Sequence, residues 1–550
     1  MNLSKKTLLT AAAAVTLLGT GCEKNLLEQN NPNLATTTTF WKSSDDAVRA
    51  SNACYAGLQA VGTYRRWFSF LYDGRDDTGW SQSPFTPLQE VTKFVQTDYN
   101  FEVTSSAYRD SYRTIDRCNQ VLANVPGIEM DAALKTRIVS EAYFLRALSY
   151  FNLVSLFGNV PLSTQPGTLD YRPAQATEAQ VWALVISDLQ AAIGTGATPN
   201  LPATYPSGTD RGRATVGAAR TLLGKAYMQQ PAAFTANGQS KWKLASDQFA
   251  LVIAGPYSLA AYTDNFRHTT ENNPESIFEV QFLDLNIGGP DGQGGVDANT
   301  AQGFQRPKFF GPPQNGGTAN LGFTDCEVRP WVVNEFLQEG TTTGQRDPRL
   351  AATVFYNYRA FASSLPLSSD TLVYDRSRPA GVAAGTYGFR NRYRGDNFNL
   401  GRTYWRKYQS DYYVGEENFD SPINFRVMRL ADVLLLQAEA LNEQGQTSAA
   451  VPLVNQVRRR VDLADLSAAA SAGQGAMRTQ IRHERVTELA GEGLRWFDLQ
   501  RYGLLNTQSG IDELKQRDAQ FNTFRLGTSQ FLPLPQQDVD LARLTQNPGY

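Results

Sequence analysis

One short segment of the chain combines aromatic rings with charged and amide side chains. It reads TYRRWFSFLYDGRDDTGWSQSPF and covers residues 63–85. Its aromatic and charged candidates are Trp67, Tyr72, Arg75, Asp76, Asp77 and Trp80. Sugars present flat apolar C–H faces edged by hydroxyl groups, and they are held by aromatic platforms with polar groups around them. The segment therefore predicts a binding site for a sugar-like ligand.

The two tryptophans of this segment have different local contexts. Trp67 is followed by Phe68, and the pair could equally form the inward-packed end of a helix. Trp80 lies between Gly79 and Ser81, which favour a turn, and exposure and burial are equally compatible with that context. We expect Trp80 to be the better ligand-binding candidate.

Catalytic motifs are missing from the sequence. The two histidines, His268 and His483, are far apart, and there is no GxSxG, P-loop or HExxH motif. Asp76 and Asp77 are adjacent, so on an extended loop they would point in opposite directions rather than form a catalytic pair. Because sequence does not fix the distance between carboxylates, a glycoside hydrolase stays open as an alternative. We expect a binding protein rather than an enzyme.

A second polar segment, ERVTELAGEGLRWFDLQRYG, covers residues 484–503. On a helix, Glu492 with Arg495 and Asp498 with Arg501 are spaced as ion pairs of the i, i+3 type. This spacing favours a structural role over an active site. Trp496 is expected to fill the core.

The cysteine pattern predicts neither a metal site nor a disulfide framework. Apart from Cys22, the chain has Cys54, Cys118 and Cys326, an odd number without CxxC spacing. A single bridge between Cys54 and Cys118 stays open, beside the alternative that both are small buried apolar residues. We expect no metal and no cofactor.

The N-terminus has the organisation of an export signal. Lys5 and Lys6 precede an apolar run of eleven residues, Leu8–Leu18, which is too short to cross a bilayer. The small residues that follow end at Cys22, which is identified as the lipidated cysteine of a bacterial lipobox, although Gly19 stands where leucine is usual. The alternative is an ordinary signal peptide with a chance cysteine. We expect a signal peptide at 1–21, a polar tether at 22–39 and one domain at 40–550.

Composition restricts the class of protein further. Of the 550 residues, 41% are hydrophobic and 19% charged, so the chain can bury a large core. Lysine and arginine number 51 against 53 aspartate and glutamate residues, and this balance does not indicate binding to nucleic acid. After the signal, no segment is long and apolar enough to span a membrane.

The helices that the sequence predicts must form the scaffold that positions the candidate residues. Residues 130–162 predict one long helix with Asp131 as N-cap and Gly158 as its stop. Residues 214–253 and 429–463 each predict two helices joined by a short loop, a plan typical of tetratricopeptide-like repeats. In the second hairpin, Thr447 or Ser448 is expected to cap the second helix.

The chain also contains three irregular segments, at about 62–100, 284–325 and 362–424, of which the last two lie between the hairpins. They are rich in glycine, proline and polar residues, and their aromatic content argues for ordered functional loops. Weaker ligand-binding candidates from the second and third segments are Phe309, Phe310, Tyr393 and Tyr404. We predict a mostly α fold, with a scaffold of helical hairpins and a loop-rich ligand-binding region.

Several segments together resemble the SusD/RagB family of nutrient-uptake lipoproteins from Bacteroidetes. They are DAVRASNACYAGL, YRTIDRCNQVLANV, EAYFLRALSYFNLVSLFGNVPL, NFRVMRLADVLLLQAEALNEQG, IRHERVTELAGEGLRWFDLQRYG and FLPLPQQDVDLARLTQNPGY. They occur in the family's order over nearly the whole chain after the signal, and the final QNPGY ends the chain as in the family, which implies a complete protein.

The resemblance implies a location and partners. Such a protein is lipid-anchored in the outer membrane, faces the cell exterior and caps a SusC-like TonB-dependent transporter. Its ligands are oligosaccharides, or peptides in some members, and in the family the loop that holds Arg75, Asp76, Asp77 and Trp80 contributes to the ligand site. The alternatives are a peptide-binding member, a lipid-anchored glycoside hydrolase and a scaffold without a small ligand.

Overall fold

The computed structural model describes residues 40–168, 171–196, 198–205, 208–284, 303–312, 322–356, 361, 363–365, 402–410 and 419–550. The predicted signal peptide and tether, with Cys22, lie outside these ranges, as does Tyr393. Within them, no helix is both long and apolar enough to cross a bilayer.

The fold is mostly helical, as the sequence predicts. In the N-terminal half the helices are α1 (Ser44–Ala56), α2 (Trp67–Asp73), α3 (Thr86–Thr92), α4 (Glu102–Asn124), α5 (Ala132–Phe157), α6 (Glu178–Ile193), α7 (Val216–Gln229) and α8 (Lys241–Ile253). They continue with α9 (Arg306–Phe310), α10 (Pro330–Phe336), α11 (Pro348–Thr353), α12 (Leu430–Glu443), α13 (Thr447–Arg459), α14 (Gln474–Leu489), α15 (Arg495–Arg501), α16 (Gln508–Arg517) and α17 (Gln536–Ala542).

Long helices pack side by side to form the scaffold. In sequence order, α4, α5, α6, α7 and α8 each pack against the next, and α8 continues the stack onto α12, which contacts α13 and α14. Helix α5 is the long helix predicted at 130–162: the Asp131 carboxylate accepts the Leu134 amide proton at 2.8 Å, and Gly158 ends the helix at φ 67°. Such stacked hairpins give a stiff base for loops.

The hairpin of α12 and α13 is confirmed, but its predicted cap is wrong. Thr447 is the first helical residue, and its hydroxyl donates to the Asn442 side chain at 2.7 Å instead of capping the helix. Around this hairpin and α14, residues such as Leu434, Val454 and Ile481 form a second core cluster, smaller than the main one.

Short strands join distant parts of the chain. The strands are β1 (Gly79–Trp80), β2 (Thr235–Ala236), β3 (Gln239–Ser240), β4 (Ser276–Val280), β5 (Glu327–Val328), β6 (Val354–Phe355), β7 (Thr403–Trp405) and β8 (Phe425–Arg429). One antiparallel sheet has the order β1-β5-β7-β6, and the pairs β2-β3 and β4-β8 form two small sheets. The four-stranded sheet therefore brings together residues that are more than 300 positions apart.

The three segments predicted as irregular contain more regular structure than expected. The first holds α2, β1 and α3, the second holds α9, and the third holds β7. Their described parts lie together: Arg65 Nε donates to the Gly303 carbonyl at 3.1 Å, and Arg65 pairs with Asp420 at 3.5 Å. The scaffold thus supports a single region built from all three segments.

Candidate ligand-binding site

The four-stranded sheet aligns one residue from each strand in a row across one face. The cross-strand partners are Trp80, Glu327, Tyr404 and Phe355, which we call the Trp80 row. Directly opposed residues of antiparallel strands project from the same face, so the four side chains are neighbours. On the other face Val328 and Trp405 are buried in the core. The sheet therefore presents aromatic rings around one carboxylate.

Trp80 is the most exposed member of this row. It is partly exposed, whereas Glu327, Tyr404 and Phe355 are buried. The guanidinium carbon of Arg329 lies 4.0 Å from the centre of the Trp80 ring, within the range of a cation–π contact. Trp80 thus offers an aromatic surface at the protein boundary with an arginine against it.

The turn that leads into β1 is built by Asp76. One carboxylate oxygen of Asp76 accepts protons from the Thr78 amide at 2.6 Å, the Thr78 hydroxyl at 2.6 Å and the Gly79 amide at 3.2 Å. A Cβ atom at position 79 would lie 2.0 Å from the Asp73 carbonyl oxygen, so glycine is required there. Burial and the nearby carboxylates of Asp73 and Asp77 raise the pKa of Asp76 well above its usual value. Asp76 shapes the loop from within.

Asp77 fixes the same loop to the C-terminal part of the chain. Its carboxylate accepts from Arg495 Nε at 2.7 Å and from Arg517 at 3.0 Å. Burial alone would raise the pKa of Asp77, but the two guanidinium groups hold it below its usual value. Asp77 is therefore a structural anchor for the Trp80 loop.

Arg75, Asp76 and Asp77 do not face outward in this structure, so the prediction that they contact a ligand gains no support from it. All three side chains are at most 1% exposed, because each satisfies a group of the protein itself. Arg75 donates to the Ser529 carbonyl at 3.0 Å, and its guanidinium lies 4.3 Å from the Trp496 ring centre. The residue types were correct for a polar loop, but the side chains point inward.

Trp67 and Tyr72 also pack inward, on α2. Trp67 is 4% exposed, as the alternative of an inward-packed helix end predicted. The Tyr72 hydroxyl donates to the Asn152 side chain at 2.8 Å, beside a cavity of about 50 Å³. Neither side chain reaches the Trp80 surface, so their predicted ligand-binding role is not supported.

The weaker aromatic candidates are buried as well. Phe309 and Phe310 are 5% and 1% exposed, and Tyr404 is 3% exposed, so the structure gives no support to a direct ligand contact from these side chains. Phe309 instead supports Phe323, which is 43% exposed, at 5.5 Å between ring centres. The sequence analysis did not single out Phe323. The signal available for it was that it is an aromatic residue within the irregular segment 284–325.

Trp331 is a second partly exposed tryptophan that the sequence analysis missed. Its indole N–H donates to the Asp77 carbonyl, and the Arg517 guanidinium lies 5.5 Å from its ring centre. The Arg329 amide donates to the neighbouring Thr78 carbonyl at 2.7 Å. Two tryptophans, each with an arginine, therefore border one loop. The sequence RPW at 329–331, directly after an irregular segment, was the signal for it.

The charged groups of this surface are already paired. Glu327 accepts from Arg402 Nε at 2.9 Å, and Arg329 forms an ion pair with Asp518. Burial, offset in part by Arg329, raises the pKa of Asp518 to about 7. The surface can therefore offer stacking and hydrogen bonds without a strong excess of one charge.

The segment 484–503 is a buried ion-pair network, as its spacing predicts, but one predicted pair is wrong. Asp498 does pair with Arg501. Glu492 instead binds Arg429 and Lys407, each at 2.7 Å, because Arg495 is engaged by Asp77. Trp496 is fully buried, as expected.

Cys54 and Cys118 are buried free thiols rather than a disulfide. This confirms the alternative in which both act as small buried residues. In the part of the chain that the structure describes, no cluster of three or more His, Cys, Asp or Glu side chains could hold a metal ion.

Known proteins are similar to this chain in both sequence and fold. The family model "SusD family" matches residues 274–550, and the model "Starch-binding associating with outer membrane" matches residues 27–228. SusD-like protein P25 of Formosa agariphila is 27% identical over 546 residues, which cover 94% of each chain.

Two solved structures illustrate the likeness of fold. A SusD superfamily protein from Bacteroides vulgatus has a TM-score of 0.73 at 24% identity, covering 93% of this chain and all of that one. A laminarin-binding SusD-like protein has a TM-score of 0.69 at 27% identity, covering 92% of this chain and all of its own. With one family model matching half of its length and relatives aligned almost end to end, this chain belongs to the SusD family.

Proposed function

We propose that this chain is a cell-surface lipoprotein of the outer membrane that binds oligosaccharides and passes them to a SusC-like TonB-dependent transporter. In this proposal Cys22 carries the lipid and residues 22–39 form the tether. The protein itself has no catalytic activity.

The observation that carries this proposal is the surface around Trp80. A partly exposed indole has Arg329 at 4.0 Å, and Trp331 of α10 borders the same loop through its bond to Asp77, so the surface supplies an aromatic platform edged by an arginine. This matches the apolar face and hydroxyl rim of a sugar ring. The laminarin-binding relative, at 27% identity, supports the same ligand class.

Binding is favoured over hydrolysis by the state of the nearby carboxylates. Glu327 is engaged by Arg402, and Asp77 by Arg495. A glycoside hydrolase needs one carboxyl group to donate a proton and another to act as base or nucleophile. Glu327 and Asp77 are at most 1% exposed, so neither carboxyl group reaches the surface on which a substrate would lie. The two arginines also hold the pKa of Asp77 below its usual value, which makes it poorly suited to the acid role.

The proposal is tested by calorimetric titration of residues 40–550 with laminarin oligosaccharides, other neutral glucans and short peptides. We expect an oligosaccharide to bind and the variant Trp80→Ala to bind it roughly 5- to 150-fold more weakly, since a stacking aromatic contributes about 1–3 kcal/mol. Circular dichroism should show an unchanged fold, and co-purification with the transporter should persist.

Trp41→Ala is the matched control, because Trp41 is also partly exposed but packs on Phe40 before α1. Its affinity should equal that of the wild type. Unchanged affinity in Trp80→Ala would remove that residue from the site. Binding of peptides alone, or turnover of any glycan, would contradict the proposed function.

A further inference from the structure

A second cleft lies on the helical scaffold, among elements that the Trp80 surface does not use. It has a volume of about 200 Å³ and is lined by residues of α8, α12 and α14 and of the end of α15. This is smaller than the ~300–1,000 Å³ of pockets for drug-sized ligands, so the cleft suits one ring rather than a chain. Four packed helical elements make it rigid.

Trp242 forms the aromatic wall of this cleft. It is partly exposed, and among the described residues its indole nitrogen has no hydrogen-bond partner. The Lys241 ammonium lies 4.5 Å from the centre of the ring, and Lys241 is itself held by the Met228 and Gln230 carbonyls. The indole therefore offers both an apolar face and a free donor.

Most charges in the cleft are matched. Glu439 accepts from Arg501 at 2.9 and 2.7 Å, and Glu443 accepts from Arg478 at 2.7 Å. Arg482 differs, because among the described residues no carboxylate forms an ion pair with it. Its guanidinium is stacked on Tyr502, 4.3 Å from the ring centre. Tyr502 thus holds the Arg482 guanidinium in place, while the N–H groups of Arg482 stay available to a ligand.

We propose that this cleft binds a single acidic sugar residue, a pyranose that carries a carboxylate or a sulfate. The apolar face of the ring would pack on Trp242, and the anionic group would accept from Arg482, whose planar fork suits carboxylate and sulfate oxygens. The site is separate from the Trp80 surface and does not depend on the function proposed for it.

The test is calorimetric titration of residues 40–550 with tetramers of galacturonate, glucuronate and mannuronate, their methyl esters, and a sulfated carrageenan hexasaccharide, which carries no carboxylate. We expect at least one acidic oligosaccharide to bind and its uncharged ester to bind far less. Arg482→Gln should weaken binding of the acid roughly 10- to 100-fold, as expected for loss of a charged hydrogen bond. A preference for uronates or for the sulfated sugar identifies the anionic group.

Matched variants separate the two sites. Arg113→Gln removes an arginine that lies outside the cleft and whose side chain is 64% exposed. Trp80→Ala alters only the Trp80 surface. Both variants should bind the acidic sugar like the wild type. Trp242→Ala should weaken it. Wild-type affinity in Arg482→Gln or Trp242→Ala, equal binding of acid and ester, or no binding of any acidic probe would overturn the proposal.

Discussion

At the scale of the residue, the side chains of the Trp80 loop divide into those that build it and one that it presents. Asp76 folds the turn, Asp77 binds two arginines and Arg75 packs on Trp496, all with almost no exposure. Trp80 is left at the boundary. The same polar residue types that suggest ligand contact are needed here to pair buried groups of the loop itself.

Asp77→Ala should destabilise the protein by about 3–5 kcal/mol, because it leaves the buried Arg495 guanidinium without its carboxylate. Urea unfolding followed by circular dichroism measures this difference. Glu129→Ala, at an exposed carboxylate, should stay within about 0.5 kcal/mol of the wild type. Equal stability of Asp77→Ala and wild type would show that the anchor is unimportant.

At the scale of the element, one histidine connects the helix that carries Trp331 to the C-terminal helices. His483 on α14 contacts Glu335 of α10 and Glu339 just beyond it, each at 2.8 Å. Burial alone would lower the pKa of His483, but the two carboxylates raise it to about 9. The contact therefore couples the position of α10 to a protonated imidazole.

This coupling predicts a pH-dependent stability. The pKa of His483 is higher in the folded protein, about 9, than in the unfolded chain, about 6.5, so its contribution is complete below pH 6.5 and is lost as the pH rises through 9. The difference in unfolding free energy between wild type and His483→Gln should therefore shrink from pH 6 to pH 10. Urea titrations at pH 6, 8 and 10 measure it.

Comparing the wild type with His483→Gln also controls for other groups that titrate between pH 6 and pH 10. The buried Lys407, whose pKa burial lowers to about 8, titrates in the same range but is present in both, so its effect cancels. A difference that is constant or grows with pH would contradict the assigned role of His483.

At the scale of the whole molecule, residues from both halves of the chain meet at the candidate site. Trp80 comes from the part matched by one family model, while Arg329, Arg495 and Arg517 come from the part matched by the other. The sheet β1-β5-β7-β6 and the Asp77 anchor cross this division. Neither part could form the site without the other.

Membrane attachment is expected to depend on Cys22. Cys22→Ser should release the protein from the membrane fraction, because serine lacks the thiol that would carry the proposed lipid. Fractionation of cells with detergent extraction measures this. Gln29→Ser, which alters only the tether, should stay attached, and a membrane-bound Cys22→Ser protein would contradict the lipoprotein assignment.

The sequence alone determined the helical scaffold, because helix periodicity, caps and short turns are local signals. The bounds of α5 follow from Asp131 and Gly158, and the two-helix plan at 429–463 follows from the helical pattern of that segment. The SusD family, the polar loop within 63–85 and Trp80 as a candidate could also be predicted from the sequence. These features depend on neighbours within a few positions, or on residue order along the chain.

Only the tertiary structure decided which side chains face outward. Arg75 and Asp77 are polar, yet their partners are Ser529 and Arg495, more than 400 positions away, and no local pattern predicts such contacts. Trp331 joins Trp80 because β5 pairs with β1, and strand pairing between distant segments is set by the packing of the whole chain. Burial, and with it the choice between a structural and a ligand-binding role, is a property of the folded molecule.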